Sequence, residues 1–76
     1  MKKNIFIVLF IDHLLNKRET VHVASSYVKA DSFCSNFSIE NPEYKLKKNP
    51  KNKNHWIGDS YNYNLIIESH KLDKDF

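Results

Sequence analysis

The sequence predicts a small α+β domain in which an antiparallel sheet packs on one helix, in the order ββαβ with room for one extra short strand. Two observations carry this reading: apolar segments of strand character open and close the chain, and a stretch of helical spacing lies between them. Seventy-six residues are enough for one core and too few for two. A core of that size supplies about 3–5 kcal/mol, so self-association is an open route to further burial.

The opening segment "NIFIVLFID" is β-branched and aromatic and too short for a typical helix. Ile5, Ile7, Leu9 and Ile11 line one face of the strand, and Phe6, Val8 and Phe10 the other. Both faces need cover. "DHLLNKRE" connects to "TVHVAS", a second strand with Val21 and Val23 on one face and Thr20 and His22 on the other, which makes residues 1–24 a hairpin. Ser25 or Ser26 then offers an oxygen to the free amides of a helix within 25–40. Tyr27, Ala30, Phe33, Cys34 and Phe37 fall on one helical stripe, and Asn41-Pro42 ends it. Residues 41–56 read as a long basic loop anchored by Tyr44 and Leu46, with a possible short strand at Trp56. Gly58-Asp59 marks a turn or bulge, and 57–73 is the last strand region, where Tyr61, Tyr63, Leu65 and Ile67 alternate with Asn62, Asn64, Ile66 and Glu68. One helix covers one face of such a sheet. The second apolar face of the first strand is expected to meet folded-back loops, a second copy or a partner protein.

A single cysteine, Cys34, excludes an intramolecular disulfide and fits a reducing, cytoplasmic compartment. "MKKNIFIVLF" imitates a signal peptide, but the apolar run ends at Asp12-His13 with no small-residue cleavage site, so secretion is not expected. The run is also far shorter than the about 20 residues of a membrane span, and no membrane partner is expected.

"VHVASSYVKADSF", a strand running through two serines into a helix, resembles small uncharacterised proteins of phages and bacteria with a strand-strand-helix-strand plan. The stretch from Tyr61 to Asp73, closing on "HKLD", is similar to their last strand. What the resemblance implies is this fold and a mobile-element origin, a setting in which small inhibitors of host or defence enzymes occur, anti-CRISPR proteins among them.

Catalytic and metal signatures are weak. His13, His22, His55 and His70 are separated by 9, 33 and 15 positions, which concentrates no ligand pair. Cys34 lies on the apolar stripe and reads as a small buried hydrophobe. No enzyme activity, catalytic residue, metal or cofactor is expected.

Charge is the stronger feature. The net charge is +3, "KLKKNPKNK" at 45–53 carries +5, and the remaining 7 basic and 9 acidic residues leave −2. Lys45, Lys47, Lys48, Lys51 and Lys53 suit a phosphate backbone, with Trp56, Tyr61 and Tyr63 near enough to stack on bases. The same lysines, accompanied by asparagines and Pro50 and by no arginine, suit a solvated loop. A positive loop also argues against mimicry of DNA, and points instead to an acidic or apolar patch on a partner. The expected function is a non-catalytic protein-binding module that modulates a host or defence protein by occupying its surface. Its anchors are expected in Phe6, Val8 and Phe10 or in Trp56, Tyr61 and Tyr63; the alternative is a nucleic-acid module built on the five lysines.

Overall fold

The computed structural model describes residues 3–58 and 61–72. Strand β1 (Lys3–Asp12) turns into β2 (Lys17–Ala24), helix α1 (Tyr27–Glu40) follows, and a single 3-10 turn (Pro42–Tyr44) leads to β3 (Lys47–Lys48), β4 (His55–Ile57) and β5 (Tyr63–Leu72). The strands form one antiparallel sheet in the order β2-β1-β5-β4-β3, with α1 packed on one face. This is the α+β class expected from the pattern. The 41–56 stretch is more ordered than a loop, because Lys47 and Lys48 pair with Ile57 and Trp56 to complete the sheet.

Ser26 begins the helix in an extended conformation, with its hydroxyl accepting from the Lys29 amide at 3.2 Å. That satisfies one of the amides every helix start leaves free. Asn41 ends the helix, its backbone and side-chain amides both donating to the Phe37 carbonyl at 3.0 Å before Pro42 forbids another turn. Ala30 and Cys34 are fully buried against the sheet, while Phe33 and Phe37 pack at the border of the core.

Periodicity alone could not decide which row of β1 the helix covers. The structure places Val8 and Phe10 in the core beneath α1, joined by Leu65 and Ile67 of β5 and Ala24 of β2. Phe10 packs against Phe37 at 5.4 Å and Tyr44 at 5.0 Å between ring centres. Phe6 meets Tyr27 edge-on. Large aromatic rings fill the gap between a sheet and a helix better than branched aliphatics, which is the physical reason this row turns inward.

The other row, Ile5, Ile7, Leu9 and Ile11, lies on the face away from the helix. Opposite it on β5 stand His70, Glu68, Ile66 and Asn64. Between Val8 and Leu9 the pairing with β2 shifts: Val8 faces His22 and Leu9 faces Thr20, leaving Val21 as an extra residue. This bulge corrects the simple alternation expected of "TVHVAS". Val21 packs at the core border and His22 stacks on Phe33 at 4.3 Å, whereas Val23 points to the open face and is 55% exposed.

Candidate functional site

The connection between β1 and β2 is built around Asp12. Its carboxylate, 8% exposed, accepts from the backbone amides of Leu14 at 2.9 Å and Leu15 at 3.2 Å, an Asx-type turn that Asn16 completes with a left-handed φ of 53°. With the amides tied inward, the two leucine side chains point into solvent, each 64% exposed.

The same end of the sheet holds Tyr61. His13 donates its amide to the Asn62 carbonyl at 2.9 Å, and Tyr61, with φ of 62°, is 73% exposed. The expectation placed Tyr61 in register with Tyr63 on the last strand; β5 instead begins at Tyr63, and Tyr61 sits in a turn where its amide donates to the Gly58 carbonyl at 3.2 Å. Gly58 is required there by close packing. A Cβ would lie 2.7 Å from both the Tyr44 carbonyl oxygen and the Tyr63 Cβ. Asn64, 8% exposed, braces the turn by donating to the Tyr61 carbonyl at 3.2 Å and lies 2.8 Å from His55 Nε2.

Beside Tyr61 is a shallow open cleft of about 700 Å³, lined by Lys45, Leu46, Lys47, Ile57 and Gly58 among others. Lys47 pairs with Ile57, Ile57 with Asn64, Asn64 with Ile11 and Ile11 with Arg18, one row from edge to edge of the sheet; Tyr63, Asp12 and Lys17 form the next row toward its end. Lys45 and Lys47 are exposed at the cleft, Lys17 and Arg18 are exposed at the far edge on β2, and the carboxylates of Glu43 and Glu19 lie near Tyr44. Leu14, Leu15 and Tyr61 thus lie at one end of the sheet, with Lys17 and Arg18 on its β2 edge and Lys45 and Lys47 toward its β3 edge.

The five lysines do not act as one patch. Lys48 points to the helix side and binds Asp31 at 2.8 Å, and that carboxylate, followed by the Tyr27 hydroxyl, raises the lysine above its usual range. Lys53 lies 5.0 Å from the centre of the Tyr27 ring, while the Tyr27 hydroxyl donates to the Lys53 carbonyl at 2.7 Å. Both residues therefore fasten the 45–53 segment to the start of α1. Lys45 adopts a left-handed conformation with φ of 54°, and Lys45, Lys47 and Lys51 are exposed. Lysine on the β3 edge also discourages pairing with another chain's strand.

Of the aromatic and aliphatic anchors expected from the sequence, Tyr61 alone is exposed. Phe6, Val8 and Phe10 are under the helix, and Trp56 and Tyr63 are half-buried at the core border. The indole N–H of Trp56 is buried without a partner among the described residues. Leu14 and Leu15, read from the sequence as part of a connection, are exposed apolar side chains not singled out there. Adjacent leucines in a polar turn after an aspartate were the signal.

Cys34 is closed to chemistry. Burial, reinforced by Asp31, pushes its thiol up to about 12, so the nucleophilic thiolate is suppressed. Among the described residues no three His, Cys, Asp or Glu side chains gather to hold a metal ion, and no helix is long and apolar enough to cross a membrane. No protein-family model, curated protein or solved structure matches the chain.

Proposed function

We propose that the protein is a non-catalytic protein-binding module whose contact surface is the tip formed by Leu14, Leu15 and Tyr61. The observation that carries this reading is the pre-set turn: a buried carboxylate fixes the backbone so that large apolar side chains stand in solvent. Holding an anchor in its bound geometry lowers the ordering cost of association. Aromatic and aliphatic anchors of this kind fill a partner's pocket, and Lys17, Lys45 and Lys47 suit an acidic rim around that pocket. The partner class is a host or defence-system enzyme modulated by surface occupation, the role to which the resemblance to small phage and bacterial proteins points, with action in the cytoplasm.

One observation favours a second reading. Tyr61 stands beside Lys45 and Lys47 on the open cleft, an aromatic face next to two ammonium groups, which is how a single nucleic-acid strand is held by stacking and phosphate contact.

Capture from nuclease-treated lysate separates the two. The protein-binding reading expects a stoichiometric protein that survives nuclease, is lost with a Leu14→Ser, Leu15→Ser double variant and is weakened only modestly by Lys45→Ser, Lys47→Ser. Recovery of nucleic acid alone, lost at moderate salt and with the lysine variant, overturns it in favour of the second.

A further inference from the structure

The sheet face opposite the helix carries Ile5, Ile7, Leu9 and Ile11 of β1, Ile66 of β5 and Val23 of β2. Antiparallel sheets with one solvated face normally alternate to polar residues there; β5 at the centre does so with His70, Glu68 and Asn64, whereas β1 beside it stays apolar. Among the described residues Leu9 is buried there, Ile5, Ile7, Ile11 and Ile66 are half-buried and Val23 is exposed. Arg18 of β2 reaches Glu68 of β5 at 3.5 Å, with His70 at 3.3 Å from the same carboxylate.

We propose that this face is the interface of a homodimer, in which two copies stack sheet on sheet about a two-fold axis parallel to β1. Charge favours a second copy as the occupant, and size permits it. β1 and β5 each run 10 residues. With strands about 4.8 Å apart and a rise of about 3.3 Å per residue, these two strands with β2 (8 residues) and β4 (3 residues) present about 500 Å² per copy, or about 1,000 Å² in all, the low end for a specific interface. The charge pattern is self-complementary. A two-fold parallel to β1 carries β2 of one copy over β5 of the other, so Arg18 of each faces the strand that bears Glu68 of its partner. Within one copy the pair bridges two strand spacings, about 9.6 Å, and an offset of four residues along the strands, about 13 Å, because Arg18 stands opposite Ile11 and Glu68 opposite Ile7; between stacked sheets the same offset combines with a gap of about 10 Å, so the same side chains can exchange an internal ion pair for an intermolecular one. This surface is separate from the tip, which a dimer would present twice.

The test is the mass in solution by light scattering across a concentration series, with circular dichroism to confirm that each variant is folded. The wild-type chain is expected at twice its 9.0 kDa. Ile7→Lys is expected to halve that mass. Because a lysine on the sheet can also disturb folding, a charge exchange provides the second arm. Arg18→Glu and Glu68→Arg should each be monomeric alone, since each places like charges across the interface, and an equimolar mixture should recover the dimer although neither chain regains its internal pair. A wild-type chain that stays at 9.0 kDa, a dimer indifferent to all three variants, or a mixture that remains monomeric overturns the proposal.

Discussion

Arg18 and Glu68 meet at 3.5 Å across a strand that separates them: Arg18 stands on β2, Glu68 on β5, and β1 runs between. Register puts Leu9 midway beneath the pair, and Leu9 is 7% exposed although α1 lies on the other face. The arginine stem thus shields an aliphatic side chain while its charged end stays wet. As an ion pair it is half-exposed and worth about 0–1 kcal/mol after screening.

The shielding and the charge can be separated. Arg18→Ala should lower stability by about 1 kcal/mol through lost cover, and Arg18→Met, which keeps much of the stem, should restore most of it. Urea unfolding of both at low concentration measures this; equal losses would assign the effect to the charge.

Gly58→Ala forces a methyl into backbone and side chain 2.7 Å away, and should cost about 1–3 kcal/mol. The turn bearing Tyr61 moves with it, because Gly58 donates to the Tyr63 carbonyl at 2.6 Å and accepts from Tyr61. Thermal unfolding gives the cost. A wild-type melting temperature would show that this turn tolerates a Cβ.

Cys34 makes stability depend on alkaline pH. Its thiol is raised by burial from 9.0 to about 12, so below about pH 9 it is protonated in both folded and unfolded chains and contributes no slope. Between 9 and about 12 only the unfolded chain releases the proton, and stability falls as pH rises. Cys34→Ala should flatten that fall relative to wild type in denaturation curves taken across the window. The native thiol should also resist alkylation at pH 8 and react at once in denaturant.

Ser26→Ala removes the acceptor of the Lys29 amide and should destabilise the chain by about 1 kcal/mol, with Ser25→Ala close to neutral as its control. Denaturant midpoints of the two variants decide which serine caps.

Where the hydrophobic period was regular, the fold could be read directly. The first hairpin, the helix with its serine cap and Asn41-Pro42 stop, and the last strand follow from spacing and capping chemistry. The covered face of β1 did not, because both of its rows are apolar and the choice falls to how Phe6 and Phe10 pack against α1. Lys47 and Lys48 were read as loop because a short edge strand is supposed to be charged, and that composition hides its pairing. The bulge at Val21 left no local mark, and it moves Val23 to the open face. Among the candidate site residues, Tyr61 was recognised as an aromatic but given the wrong backbone, since a left-handed turn at a tyrosine has no sequence signature.

The central claim is that the tip, and not the helix surface, meets a partner. A photo-crosslinking amino acid placed at Leu15 or at Tyr61, with a control at Lys29 on the exposed side of α1, tests it in nuclease-treated lysate. The account expects the same discrete protein adduct from both tip positions and none from position 29. Adducts that form equally from all three, or from position 29 alone, would contradict it.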